Sequence, residues 1–210
     1  MTPASFTSDV AHALLISALL AFFFSETLGR FWKRYHAGLL GAAIGVLLSI
    51  IPGPWQPAFY TRAILGDPGA LGWLFYAHLL VHSSSPKPLL SDIEIRILSV
   101  TALIGGLLIY PASVGLTGWP DIYNSGFSGY LPLIGSLVLL GWFLWRNLLL
   151  SAACIGFGLF LYGLDLHEST NLWDCYLDAP TVYVSIWILA KWGWCHWRGN
   201  AAKIHSGMGD

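Results

Sequence analysis

Seven apolar runs, separated by short polar stretches, constrain this chain more than any other feature. They cover about Phe6–Phe24, Ala37–Ile51, Gly69–His82, Ile97–Leu116, Leu131–Trp145, Leu148–Leu164 and Thr181–Trp197. About 20 predominantly apolar residues make a helix that crosses the roughly 30 Å hydrocarbon core of a bilayer. Runs of this kind, repeated through the whole chain, leave no room for a soluble domain. The fold expected is all-α: a polytopic membrane helix bundle of about seven transmembrane helices, residues 1–210 forming a single integral membrane domain. The third run is short enough to be re-entrant as well as spanning.

Composition agrees. Only 10% of the 210 residues are charged and 56% are hydrophobic, where a soluble domain carries about 25% charged residues. The mean hydropathy is +0.64. With a net charge of −1 there is no basic surface of the kind nucleic acid requires, so no nucleic-acid partner is expected. Cys154, Cys175 and Cys195 make no CxxC pair and no zinc spacing; they read as free thiols, Cys175 sheltered at the membrane interface. The first ten residues contain Asp9 and no Lys or Arg, unlike the basic start of a signal peptide, so the first run is expected to persist as a helix.

Basic residues orient the bundle, because cytoplasmic loops carry an excess of Lys and Arg. With all seven runs spanning and the N-terminus outside, Arg30, Lys33, Arg34, Lys87, Arg96, Arg146, Lys191, Arg198 and Lys203 lie on the inner side, and only Arg62 lies outside. Trp192, Trp194 and Trp197 form an aromatic belt at the inner interface. The expected topology is therefore N-outside and C-inside, in a membrane of the bacterial inner (cytoplasmic) type.

This orientation collects the polar chemistry on the outer face. The stretch Tyr162–Pro180, YGLDLHESTNLWDCYLDAP, holds Asp165, His167, Glu168, Asn171, Asp174 and Asp178 with no Lys or Arg, and Asp121 lies in the preceding outer loop. Asp165, His167, Glu168, Asn171, Asp174 and Asp121 are the candidate ion- or substrate-binding residues. Ionisable groups near a bilayer mark functional sites by default. The spacing matches no known metal motif, so the metal and any cofactor are unspecified. A structural account of the same stretch runs in parallel: Thr170 caps a short interfacial helix from Asn171 to Leu177, and Asp178 caps the seventh run with Pro180 in its first turn.

Four further patterns carry weaker signals. Gly126-Phe-Ser128-Gly129 resembles the serine motif of rhomboid-type intramembrane proteases, which implies a serine activated by a histidine from a later helix. The seventh run offers only His196, at its far end, while His167 precedes it; Ser128, His167 and Glu168 are the catalytic candidates on that reading. His78 and His82 share a helix face, but a haem needs a second helix supplying histidine at matching depth, so no haem is expected. Lys191 on a seventh helix resembles the retinal proteins, yet no carboxylate counter-ion lies in the third run and Lys191 adjoins the aromatic belt, so no retinal is expected. Gly41-Ala-Ala-Ile-Gly45 is a GxxxG that lets a second helix approach closely, and Pro111 interrupts the fourth run.

Three functions are compatible with these residues. The foremost is a small ion- or solute-handling membrane protein with the acidic and histidine cluster at its outer mouth. Polar residues inside the runs are few (Ser17, Ser49, Thr101, Ser113 and Ser136), which argues against a large polar solute. The second is an accessory or structural subunit of a membrane complex, using small residues and Trp for helix and lipid contacts. The third is a membrane-embedded hydrolase or lipid-processing enzyme opening outward. The partners expected are the lipid bilayer and either further copies of the chain or other membrane subunits.

Overall fold

The computed structural model describes residues 3–51, 56–116, 122–128 and 130–206. Among these the chain is all-helical, with no strand. Ten helices follow in order: α1 (Pro3–Thr27), α2 (Arg34–Ser49), α3 (Pro57–Leu65), α4 (Ala70–Ser84), α5 (Asp92–Ser113), α6 (Ser125–Ser128), α7 (Tyr130–Trp145), α8 (Leu149–Gly163), α9 (Leu172–Tyr176) and α10 (Ala179–Ser206). The seven apolar runs correspond to α1, α2, α4, α5, α7, α8 and α10.

Length separates these helices. Two, Ser5–Thr27 within α1 and Asp92–Ser113, are long and apolar enough to cross a membrane. Helices α7 and α8 are strongly apolar but have 16 and 15 residues; at about 1.5 Å per residue they reach only some 22–24 Å. Helix length and apolarity therefore give two candidate spans where the pattern of apolar runs gave seven.

The helix ends explain how so many elements fit in so short a chain. Helix α5 opens with a capping box, the Ser91 side chain accepting from the Glu94 N–H while the Glu94 carboxylate accepts from the Ser91 N–H. Helices α5, α7 and α8 end in Schellman motifs, with Gly115, Asn147 and Asp165 in the left-handed region at φ 67°, 56° and 52°. In α8 the Leu166 N–H donates to Leu161 O at 2.9 Å and the Asp165 N–H to Tyr162 O at 3.3 Å. Each motif turns the chain within two residues.

Two local features lie outside the pattern of apolar runs. The proline-rich stretch before α4 forms α3, with Pro57 in its first turn and Gly66 at φ 70° ending it. Proline has the φ a first helical turn needs and its missing N–H costs nothing there. Glu26 and Arg30 stand four apart, the spacing of a helical ion pair, but helix α1 ends at Thr27 and the chain folds back, so the Arg34 guanidinium reaches Glu26 Oε1 at 2.6 Å.

Small residues set the packing. Helices α1 and α2 run antiparallel: a Cβ on Gly41 would lie 2.3 Å from Leu20 O, and one on Gly45 2.4 Å from Ser17 Cα. Gly38 meets Ser83 of α4 in the same way. Helices α5 and α10 are also antiparallel, Gly106 packing on Val182 and Arg96 lying over Trp192. Helix α9 packs on α8: its Tyr176 ring rests against Gly158 and the Tyr176 phenol donates to Ile155 O at 3.2 Å. Gly69 and Gly72 bring the start of α4 against Tyr176 and Asp178. The start of α1, the α3–α4 loop, α6 and the α8–α10 segment thereby gather at one end of the molecule.

Candidate functional site

At that end the centre is Arg62 of α3. Its guanidinium meets three carboxylates from three segments: Asp67 in the α3–α4 loop at 3.2 Å, Asp9 of α1 at 3.9 Å, and Glu168 in the α8–α9 loop, which pairs with Nη2. A planar guanidinium with five donors suits this task where an ammonium does not. Asp67 is the buried member, its side chain 6% exposed against 56% for Glu168. The Ser8 hydroxyl also donates to Asp67 Oδ1, and the Thr7 hydroxyl to Leu166 O, which ties α1 to the α8–α9 loop. His12, one turn after Asp9 and 1% exposed, lies against Gly66 O with Nε2 at 3.1 Å. His167 lines a cavity of about 10 Å³ together with Thr7, Ser8, Asp67 and Trp73, room for about one water molecule.

The acidic stretch thus divides in two. His167 and Glu168 join the Arg62 cluster. Asn171 and Asp174 face the other way and form a latch on the segment before α7. Asn171, not Thr170, caps α9, its Oδ1 accepting from the Trp173 N–H at 2.9 Å; as the residue just before the helix, Asn171 has its side-chain oxygen at the orphan N–H of the first turn. Its Nδ2 donates to Tyr123 O at 3.0 Å, and Trp173 Nε1 donates to Ile122 O at 3.0 Å. Tyr123 and Ser169 both donate to Asp174 Oδ2, at 3.0 and 2.5 Å. Burial and the neighbouring Asp174 carboxylate raise the Tyr123 phenol above its usual value. Asp165 is exposed and serves the left-handed turn that ends α8.

Asp178 caps α10 as expected, accepting from the Thr181 N–H at 2.7 Å, and also accepts from the Gly69 N–H at 2.9 Å. Burial pushes its carboxyl up, and these hydrogen bonds draw it back down. Cys175 is fully buried and free, its thiol pushed up to about 12 by burial. Asp121 and Gly129 lie outside the described residues, as does the side chain of Ser128. In the GxSG motif, Gly126 has a packing explanation: a Cβ there would fall 1.8 Å from Asn171 Oδ1.

The remaining histidine and lysine patterns resolve into local contacts. His78 and His82 stack at 5.9 Å, and His78 Nδ1 accepts from the Leu90 N–H at 3.1 Å. Lys191 lies over the exposed Trp187 ring at 5.1 Å.

Sequence reasoning missed Arg62, Asp9, Asp67, Ser8 and His12 as site members. One signal was present: Arg62 is the only basic residue outside the inner side in the N-outside topology. A lone guanidinium placed against the charge bias is a candidate for local pairing. Among the described residues no group of three or more His, Cys, Asp or Glu side chains is placed to hold a metal ion. Compared with family models, with curated proteins and with solved structures, the chain matches none.

Proposed function

We propose that this chain is a multi-pass protein of a bacterial inner membrane, N-outside and C-inside, that handles a small ion at the Arg62 cluster. The observation that carries this reading is the convergence of Asp9, Asp67 and Glu168 on one guanidinium, beside a water-sized cavity that Asp67 and His167 share. Three carboxylates against one fixed cation leave the site electronegative, which draws cations toward it. The cavity suits a proton or an ion and not a bulky solute, in keeping with the few polar residues inside the helices.

Several features support the membrane setting. Helices α2, α5, α7 and α10 expose large apolar side chains, among them Leu47, Leu107, Val138 and Trp187 at 64%, 63%, 68% and 60%. Arg96, Lys191 and Arg198 each lie over a Trp ring of α10 at 5.1–5.3 Å, a cationic and aromatic belt of the kind found at bilayer interfaces. The antiparallel pairs α1/α2 and α5/α10 alternate as successive spans do.

The test is ion flux in proteoliposomes under an imposed pH or cation gradient. Wild-type protein is expected to dissipate the gradient, and Asp67→Asn to abolish the flux. Liposomes containing wild-type protein that hold both gradients as long as empty ones would overturn the reading.

A complex-subunit role is the second reading. Gly41, Gly45 and Ala152 are spent inside the chain. Gly135 and Gly141 of α7 and Gly156 of α8, however, have open space where a Cβ would stand, leaving small-residue surface for another membrane helix.

A further inference from the structure

We infer that the face shared by α5 and α10 holds one anionic phospholipid, with its phosphate at Arg96 and Lys191 and one acyl chain in the groove that continues from them. The inference rests on the membrane setting proposed above and not on ion handling. Two independent features of this helix pair carry it. The first is the groove. Leu103, Leu107 and Tyr110 of α5 and Val182, Tyr183 and Ile186 of α10 line a space of about 350 Å³, within the size range of small-molecule pockets. Gly106 and Val182 pack together at its floor, while Leu107, Tyr183 and Ile186 are exposed at its rim. The side chains that line it are uncharged and mostly aliphatic, so it suits a hydrocarbon chain and not a polar solute.

The second is a set of cations. Arg96 lies over the Trp192 ring at 5.3 Å, Lys191 over Trp187 at 5.1 Å and Arg198 over Trp194 at 5.1 Å. Among the described residues none of the three meets a carboxylate, in contrast to Arg34 and Arg62. Arg96 Nε donates to Asp92 O at 2.7 Å, which leaves its terminal amino groups for an acceptor outside the chain. Glu94 spends its carboxylate on the Ser91 N–H and hydroxyl, and α10 contains no acidic residue. Every residue of α10 from Ala190 to Arg198 is exposed, so this stretch carries its charge on an uncovered helix surface.

Helical register joins the two features. Arg96, Leu103 and Tyr110 stand seven apart, so they share one stripe of α5 with a drift of about 20° per step. Tyr183, Trp187, Lys191, Trp194 and Arg198 share one face of α10 at steps of three and four. The cations therefore extend the line of the groove toward the inner side. At a rise of about 1.5 Å per residue, Leu103 lies about 10 Å along the helix from Arg96, and Ile186 about 8 Å from Lys191. Both fall within the roughly 15 Å that half of the hydrocarbon core gives an inner-leaflet chain. Charge complementarity selects the headgroup: basic side chains at the membrane surface favour an anionic lipid, and the Trp rings hold them at the interface. A zwitterionic lipid brings the same chains but sets its own cation beside these three.

The experiment is native mass spectrometry of the full-length chain in a mild detergent, with phosphatidylglycerol and phosphatidylcholine of identical chains added together. One phosphatidylglycerol per chain is expected to be retained in preference to phosphatidylcholine. Arg96→Gln and Lys191→Gln are each expected to lower that adduct by on the order of fivefold, as loss of one basic residue near an anionic headgroup does. Leu107→Trp fills the groove and is expected to weaken both lipids while keeping their ratio. Lys33→Gln, on the inner side but at the start of α2, is expected to bind lipid as the wild type does. Equal retention of the two lipids overturns the inference, and so does an equal loss with Lys33→Gln, which would mean general surface charge. A lipid-free dimer overturns it as well, making this face an interface between copies. Displacement of the lipid by glycerol phosphate, a headgroup without chains, would remove the groove from the site. These outcomes are separable from the flux assay: lipid selectivity without flux keeps this site and removes the transport reading, while flux without lipid selectivity does the opposite.

Discussion

At the scale of single residues, the acidic stretch shows how one run of polar side chains can serve two purposes. Asn171 is fully buried and does three things at once: its Oδ1 caps α9 by accepting from the Trp173 N–H, its Nδ2 donates to Tyr123 O and its own N–H donates to Ser169 Oγ. Asn171→Ala is expected to cost about 2 kcal/mol, at the upper end for a lost cap, read as a lower Tm in detergent. Gly126→Ala places a methyl on Asn171 Oδ1 and is expected to cost about 1–3 kcal/mol by overpacking, in the same assay. Tyr123 gives the latch a pH dependence. Its phenol prefers to stay protonated when folded, so the attachment is unaffected below the free-phenol value of about 10 and weakens as pH rises above it. Thermal melts from pH 7 to 11 test this, and Tyr123→Phe is expected to lessen the alkaline decline, to which the buried Cys175 thiol also contributes, at the cost of a lower plateau. Asn171 and Asp174 were legible as polar residues worth attention, but nothing in their spacing separates a latch from a ligand. Only the direction each side chain takes in the fold does that.

At the scale of elements, Arg62 decides how α3, α1 and the α8–α9 loop are joined. Asp67 is almost fully enclosed, and removing its partner leaves a buried charge uncompensated. Arg62→Ala is therefore expected to destabilise by about 3–5 kcal/mol, whereas Glu168→Ala, at a half-exposed pair, is expected to cost at most about 1 kcal/mol. Chemical unfolding of the two variants side by side checks the contrast; equal effects would mean that Arg62 acts through packing alone. The GxxxG in α2 was readable as a close-approach motif, and its partner proved to be α1. Helix α3 was hidden from the hydropathy pattern because a nine-residue helix flanked by prolines has no long apolar run to announce it. The end of α1 was hidden for a related reason: Glu26 and Arg30 have helical spacing, and only the fold-back at Gly29, where a Cβ would meet Ser25 O at 2.1 Å, shows that the helix has already stopped.

At the scale of the whole molecule, orientation is the property to measure. In right-side-out membrane vesicles, a membrane-impermeant maleimide is expected to label Thr170→Cys and to spare Lys33→Cys until the membrane is opened. Labelling of Lys33→Cys in sealed vesicles would reverse the topology. In solubilised protein Cys195 is expected to react, and Cys154 and Cys175, both buried, to stay silent. The all-helical character and the positions of seven apolar helices, to within a few residues except at the far end of α10, were legible from the chain alone. They follow from local physics, since apolar length, caps and turn residues act over a few positions. The ion cluster was not legible as a cluster. Asp9, Arg62, Asp67 and Glu168 are spread across most of the chain, and what brings them together is glycine-mediated contact between helices, which lets α1, α3 and the α8–α9 loop meet at one end. Charge pairing over such separations depends on distance in space, and no periodicity or spacing in the sequence encodes it.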